Sequence, residues 1–176
     1  MEIKVRIPNL ENMTAEGIPK DFADVMDYFN NSLKENSLPW IPRKNPITTK
    51  EIKEKWIPSL NTNISLVAEL NGKVVGSGTV FYDPNSTAYE DANQMISGEF
   101  NSTANPKMQY VKITQELIKG ISRELKEKGK IAHCHLPIES PAIQAMQELG
   151  IKGKETTLEH YQKQGLSGKV IKYELP

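Results

Sequence analysis

Residues 106–151 constrain the fold of this chain more than any other part of its 176 residues. They begin after a strand-like stretch and run into a long amphipathic helix, predicted over residues 111–128, which Gly129 ends. The apolar residues of this helix form one stripe: Ile113, Leu117, Ile118, Ile121 and Leu125. The first turn of a helix leaves backbone N–H groups without intrahelical partners, and several α/β folds bind phosphate there.

A β-hairpin is the second strong signal. Strand-like residues 64–70 and 73–82 flank Asn71-Gly72, a pair that tolerates the positive φ angles of a tight turn. Residues 94–104 predict a further strand that is unusually polar. Such a strand either lines a wet cleft or lies at the edge of the sheet.

The other segments complete the pattern. A helix starts at Lys20, and a second, short helix starts after Thr48 and ends before Pro58. A further helix is predicted over residues 140–149. Strands are predicted over residues 3–7, 130–136, 154–160 and 169–175. The predicted order is therefore β-α-α-β-β-β-α-β-α-β-β.

Composition and charge narrow the function classes. The 22 Lys and Arg residues balance 22 Asp and Glu residues, so the net charge favours neither nucleic acid nor an anionic membrane. No apolar run approaches the roughly 20 residues that cross a bilayer, and the first residues do not open a signal peptide. The single cysteine, Cys134, cannot form an internal disulfide. We expect one cytoplasmic domain, residues 1–176, with no nucleic-acid or membrane partner.

This order of elements resembles the GNAT superfamily of acetyl-CoA-dependent N-acetyltransferases. Members follow their fourth strand with a proline and Gln/Arg-x-x-Gly-x-Gly/Ala, which opens a long helix; Pro106 and Gln109 stand in the corresponding places. Ala142 and Gly150 keep the spacing of a downstream motif, Asn-x-x-Ala-x-x-x-Tyr-x-x-x-Gly-Phe. The resemblance implies an α/β (α+β) fold with a mixed, mostly antiparallel sheet of about six to seven strands and about four helices.

Four positions depart from the family pattern. Lys112 and Thr114 replace the two loop glycines, which normally let backbone N–H groups approach a pyrophosphate closely. Glu139 replaces an asparagine that often contacts the cofactor. Met146 replaces a tyrosine that often protonates the leaving thiolate, and methionine has no proton to give.

The resemblance implies acetyl-CoA as co-substrate and no metal. Its pantetheine would pair with the backbone near Thr103 and Ala104, and Glu139 would lie close to the cofactor. The diphosphate would meet the backbone N–H groups of the loop and first helical turn: Gln109, Tyr110, Val111, Lys112, Ile113 and Thr114.

Two residues are candidates for proton transfer. Glu99 on the polar strand is the leading base, although alternation places it opposite Ser102 and Ala104 unless a bulge intervenes; a structural or solvated Glu99 is the alternative. Tyr161 could replace Met146 as the acid.

For several other aromatic and histidine residues, the sequence is compatible with more than one role. Trp40, Trp56 and Tyr82 would lie on the acceptor side, or serve as core and loop anchors. His133 and His135 share a strand face, as two metal ligands would, and a third ligand would have to be His160 or a carboxylate. They are otherwise buried histidines or a proton relay, and Cys134 is a packed thiol.

These expectations combine into one function and its rivals. The protein would transfer an acetyl group from acetyl-CoA to a primary amine of a small molecule or peptide, directly in a ternary complex. The alternative is a non-catalytic GNAT-like domain that binds acyl-CoA or a protein partner. A homodimer is a further expectation, since family members are frequently dimers.

Overall fold

One seven-stranded sheet organises the chain in the computed structural model. The residues described are 2–41, 43–81, 96–106, 109–159, 162 and 165–175, with backbone alone for 96–103. The strands are β1 (Lys4–Arg6), β2 (Ile64–Leu70), β3 (Lys73–Phe81), β4 (Ile96–Ala104), β5 (Ile131–Pro137), β6 (Gly153–Thr157) and β7 (Lys169–Leu175). Their order is β1-β2-β3-β4-β5-β7-β6, and only the β4–β5 pair is parallel.

The helices are α1 (Lys20–Glu35), α2 (Thr49–Glu51), α3 (Ile57–Ser59), α4 (Tyr110–Lys128) and α5 (Ala142–Glu148), with a π-helical segment, Ile52–Trp56, joining α2 to α3. When residues 49–59 are counted as one helical segment, the predicted element order is confirmed. The GNAT-like mixed fold class is confirmed with it. No helix within the described residues is both long and apolar enough to cross a membrane.

The second helix does not end where the sequence predicted. Pro58 lies inside the helical segment, at the second position of α3, and the helix continues to Ser59. The preceding turn is π-helical, and the Ile57 N–H donates to the Ile52 carbonyl. Proline cannot donate to a preceding carbonyl, and its ring clashes with the fourth carbonyl before it in an α-helix. The wider π turn relieves that clash, so Pro58 changes the winding without stopping the helix.

Three residues with positive φ angles lie where the sequence predicted a hairpin turn and a helix end. Asn71 and Gly72 adopt φ angles of 54° and 77°, which close the β2–β3 hairpin. Gly129 follows α4 with a φ of 63°, and the Lys130 N–H donates to the Leu125 carbonyl at 2.9 Å. This bond satisfies a carbonyl that the helix end would otherwise leave unpaired.

Helices cover both faces of the sheet and create two hydrophobic clusters. On one face, which we call the α4 face, the predicted apolar stripe of α4 is at most 1% exposed and packs on β2, β3 and β5. On the opposite α1 face, Phe22, Val25 and Phe29 pack on Val67 and Val74. Because strand residues alternate between faces, neighbours such as Leu66 and Val67 serve different clusters.

Arg6 joins β1, α1 and β2 through a branched ion pair. Its guanidinium donates to both Asp21 carboxylate oxygens at 2.6 and 3.0 Å and to Glu69 at 2.9 Å. The backbone N–H of Asn9 also donates to Asp21, at 2.7 Å. Burial favours the neutral carboxyl, but the hydrogen bonds from Arg6 and Asn9 outweigh it and hold the pKa of Asp21 below its ordinary value.

The Asp21→Asn substitution tests this connection. We expect it to lower the free energy of unfolding by about 2 kcal/mol at pH 7, since it removes the buried negative charge that pairs with the half-buried Arg6 guanidinium. A carboxyl with a depressed pKa stabilises the fold above its unfolded pKa, about 4, and loses that contribution as pH falls through the folded pKa. The difference from wild type should therefore shrink below about pH 4 in urea titrations.

The exposed Asp27, on the same helix, provides the matched control. Asp27→Asn should leave both the stability at pH 7 and its pH dependence close to wild type. A gap between Asp21→Asn and wild type that persists unchanged into acid would contradict an ionic origin.

Candidate active site

A cleft opens in the sheet where β4 and β5 part. Their parallel ladder pairs Ile96 with Ile131, Gly98 with Ala132 and Glu99 with His133, and it ends there. In the described ladders, residues 100–104 of β4 pair with β3 alone, while β5 continues along β7 as far as Pro137. The facing backbone edges of the two strands thus diverge toward the end that leads into α4. A backbone edge freed in this way can pair with an extended ligand.

The register of β4 settles where its predicted site residues lie along the strand. The bulge that the ladder with β5 contains falls at Ser97, before Glu99, and the ladder with β3 is regular from Glu99 to Ala104. Glu99 pairs with Phe81 and Thr103 with Ser77. Ala104 is fully buried on the α4 face. The edge interpretation of this polar strand is wrong, because β4 lies between β3 and β5.

The N-terminus of α4 lies beside the open end of the cleft. Gln109, the residue before the helix, makes no side-chain hydrogen bond to cap it, and its first turn carries no acidic residue. The Ile113 N–H already donates to the Gln109 carbonyl at 2.8 Å. The first-turn N–H groups of Tyr110, Val111 and Lys112 therefore have no carbonyl of the helix to bind, and the helix dipole adds partial positive charge there.

The two residues in the glycine positions of the loop have different surroundings. Lys112 is exposed, and its Nζ lies 3.4 Å from Glu116. Thr114 is 2% exposed and lies on the buried side of α4, as does the fully buried Ile113. Burial favours a neutral Glu116, but Lys119 and Lys112 outweigh it and lower the pKa of that carboxyl. One replacement thus adds a cation at the helix surface, and the other fills space inside the protein.

Tyr110 has a role that sequence reasoning missed, since only its backbone N–H was assigned. The indole Nε1 of Trp40 donates to its hydroxyl at 3.4 Å, and the two rings meet edge to face with centroids 5.5 Å apart. The same hydroxyl interacts with Ser140 and Thr114. Burial raises the pKa of Tyr110 above its ordinary value. The only sequence signals were an aromatic residue at the start of the predicted helix and a tryptophan in a proline-rich segment.

Glu139 lies in the turn between β5 and α5, where it bonds to a different loop. Its carboxylate accepts the Ser167 N–H at 2.9 Å, just before β7. Hydrogen bonds from Ser167 lower the pKa of Glu139, so this exposed group remains charged at neutral pH. Tyr161 and Tyr82 lie outside the described residues.

A cavity of about 190 Å³ lies on the α1 face, between α1, the π-helical segment and β3. Phe22 and Trp56 form part of its wall with their rings edge to face, 5.5 Å apart. Ser77, Thr79 and Phe81 line it from β3, and these are the register partners of Thr103, Asn101 and Glu99 on β4. The cavity therefore adjoins the strand that borders the cleft.

The remaining candidates on β5 and α5 lie largely in the core. His133 is buried, with Nε2 3.9 Å from Glu174, and Cys134 is a buried free thiol. Within the described ranges, no three His, Cys, Asp or Glu residues group as a metal site requires, and His160 lies outside those ranges. Met146 is fully buried in the α4-face cluster.

Solved structures with the same architecture are acetyltransferases. An N-acetyltransferase from Staphylococcus aureus Mu50 matches with a TM-score of 0.67 and 16% identity, over 99% of this chain and 98% of its own. Ribosomal-protein-alanine N-acetyltransferase from Brucella melitensis gives 0.67 and 16%, over 97% and 98%. This chain has the GNAT fold.

A further match carries a ligand. The GNAT superfamily phosphinothricin acetyltransferase from Sinorhizobium meliloti, solved in complex with AcCoA, gives a TM-score of 0.67 and 13% identity, over 100% of this chain and 89% of its own. No family model matches the sequence, and no curated protein matches it either. At these identities the likeness shows the GNAT fold alone.

The ionisation of Tyr110 can be measured directly. A buried neutral phenol with a raised pKa stabilises the fold below the unfolded tyrosine pKa, about 10, and loses that contribution as pH rises through the folded pKa. We therefore expect the absorbance titration of wild type minus that of Tyr110→Phe to show a phenol that ionises above pH 10. A difference signal centred at or below the ordinary tyrosine value would contradict this burial.

Proposed function

We propose that this protein is an N-acetyltransferase that transfers the acetyl group of acetyl-CoA to a primary amine of a small molecule or peptide, within a ternary complex. One observation carries the proposal. The only parallel ladder among the described strands opens after Glu99 and His133, and the opening faces the uncapped N-terminus of α4. A free strand edge beside a helix N-terminus suits a ligand that has both an amide-containing arm and a diphosphate.

The cofactor would be held by backbone groups at two places. The edge of β4 near Thr103 and Ala104 would pair with the pantetheine amides. The diphosphate would accept hydrogen bonds from the N–H groups of Tyr110, Val111 and Lys112. Gln109 would begin this loop, and Ile113 and Thr114 would support it from the core, since the Ile113 N–H already has a partner. The complex of the Sinorhizobium meliloti enzyme with AcCoA supports this choice of ligand.

Glu139 would sit at the edge of this site without bonding to a phosphate. Its charged carboxylate would repel a diphosphate, and its bond to Ser167 directs it to the loop before β7. Lys112 provides the opposite charge at the surface of the first turn. The net electrostatic effect on the cofactor thus depends on which of these two groups lies closer.

The acceptor amine would approach from the cavity on the α1 face. The cavity borders β3, and its lining residue Phe81 is the register partner of Glu99. The matching structures carry different acceptors in their names, ribosomal-protein alanine and phosphinothricin, so the GNAT fold leaves the acceptor open. We propose an amine whose apolar part is taken up by the aromatic wall of Phe22 and Trp56.

Glu99 would act as the base and Tyr161 as the acid. Once Glu99 accepts a proton from the ammonium group, the neutral amine attacks the thioester carbonyl and a C–N bond forms. The tetrahedral intermediate then releases coenzyme A thiolate as the C–S bond breaks. The nitrogen loses its second proton as the amide forms, and Tyr161 or water passes a proton to the thiolate sulfur, since the buried Met146 has none. Alignment of the two substrates supplies much of the acceleration.

A calorimetric titration with acetyl-CoA, followed by a thiol-release assay on a panel of amines, tests this function. We expect saturable binding, and release of thiol that depends on an amine.

We also expect Lys112→Ala to weaken binding about three- to tenfold, because a cation beside the diphosphate is lost. Lys119→Ala is the matched control: Lys119 contacts the same Glu116, at 3.2 Å, but lies two turns farther along α4. Equal affinities for the two variants would contradict a role for Lys112, and no binding at all would refute the proposal.

The role of Glu99 is tested by Glu99→Gln. The amide cannot accept the proton, so kcat should fall by about 10²- to 10⁴-fold while acetyl-CoA affinity stays unchanged. The loss should shrink at high pH, where the amine is already neutral. Glu127→Gln, at the exposed far end of α4, serves as a control. A Glu99→Gln enzyme with wild-type kcat would exclude Glu99 as the base.

One observation favours a second candidate, a non-catalytic domain that binds acyl-CoA. Met146, in the place of the family's tyrosine, is fully buried among apolar side chains and offers no proton to a leaving thiolate. Saturable binding of acetyl-CoA without thiol release across the amine panel would support this candidate over catalysis.

A further inference from the structure

Tyr110 begins α4, close to where β4 and β5 have parted. It packs against both hydrophobic clusters, which lie on opposite faces of the sheet. Its hydroxyl reaches Thr114 on α4, Ser140 beyond the end of β5, and Trp40 in the segment between α1 and α2. A side chain at the start of α4 can touch both faces here because no strand hydrogen bonds close the sheet between β4 and β5 beyond Glu99.

Trp40 holds Tyr110 from the α1 face. The two rings meet at 76°, an edge-to-face arrangement, and the hydrogen bond between them is long at 3.4 Å. Trp40 belongs to no helix or strand and is half-buried, while the neighbouring Leu38 anchors the segment in the α1-face cluster. The contact is therefore favourable but modest.

We propose that Tyr110, held by Trp40, is the residue that controls entry of coenzyme A into the cleft. This inference rests on the proposed function, because it assumes that the pantetheine arm runs between β4 and β5. The phenol ring and the pantetheine arm would occupy the same opening, so Tyr110 has to rotate out before the arm can enter. The apparent affinity for coenzyme A is then the intrinsic affinity multiplied by the fraction of molecules in which Tyr110 does not block the opening.

The sign of one substitution separates this role from an ordinary binding contact. Calorimetry with coenzyme A should show about tenfold tighter binding by Tyr110→Ala than by wild type, because the competing side chain is gone. Trp40→Ala should tighten binding in the same direction. Tyr110→Phe, which keeps the ring, should remain within about threefold of wild type. Thermal unfolding of each variant verifies that it is folded.

Each result has a distinct meaning. If wild type binds coenzyme A and Tyr110→Ala binds equally or more weakly, the entry role is overturned while the proposed function stands. If only Tyr110→Ala binds, the entry role is supported and the proposed function of the natural chain fails. If neither protein binds, both are overturned.

A second measurement does not depend on Tyr110→Ala being stable. The chain has two tryptophans, so Trp56→Phe leaves Trp40 as the sole reporter. Excitation at about 295 nm, where adenine does not absorb, isolates its emission. Coenzyme A should shift that emission as Tyr110 leaves the indole ring. The shift should persist in the Trp56→Phe, Tyr110→Phe double variant, unless the Tyr110 hydroxyl alone causes it. Saturating coenzyme A with no change in Trp40 emission would overturn the proposal.

Discussion

The end of hydrogen bonding between β4 and β5 is the constraint on which the site depends. Both strands continue beyond Glu99 and His133, but they do so along different neighbours, β3 and β7. A sheet that divides in this way has two backbone edges inside the protein, and buried polar edges require partners. The uncapped first turn of α4 lies beside this division, and Tyr110 packs there against the clusters on both faces of the sheet. The cleft, the N-terminus of α4 and the Trp40–Tyr110 pair therefore lie together at one division in the sheet.

The two covered faces give the cleft two chemically different sides. The α4 face is an apolar core that includes Cys134 and Met146. The α1 face holds a cavity with aromatic walls and a hydroxyl-bearing floor from β3. Arg6 fixes this arrangement at the far edge, since it ties β1 and β2 to α1 through Glu69 and Asp21. Chemistry at the cleft would thus draw its polar groups from the α1 face.

Much of the fold could be predicted because its signals are local. The α4 stripe, the Asn71-Gly72 turn and the Gly129 helix end depend on residues a few positions apart, and all are confirmed. The continuation of a helix through Pro58 could not be predicted, because it needs a π turn that only packing stabilises. For the site, sequence spacing located the start of α4 correctly. It missed the Tyr110 side chain, whose partners Trp40 and Ser140 are 70 and 30 positions away along the chain.

The sequence by itself determined which segments form helices and strands, their order, and the residues at the N-terminal end of α4. These properties follow from periodicity and turn chemistry, which act over one or two turns of chain. Only the tertiary structure decided where β4 leaves β5, on which face of the sheet each strand residue of the described core lies, and which side chains lie near the opening between the two strands. Those depend on register between distant strands and on side chains that meet across the sheet. The two glycine replacements illustrate the difference: the sequence showed that Lys112 and Thr114 stand there, but only packing showed that one is exposed beside Glu116 and the other is buried under Tyr110.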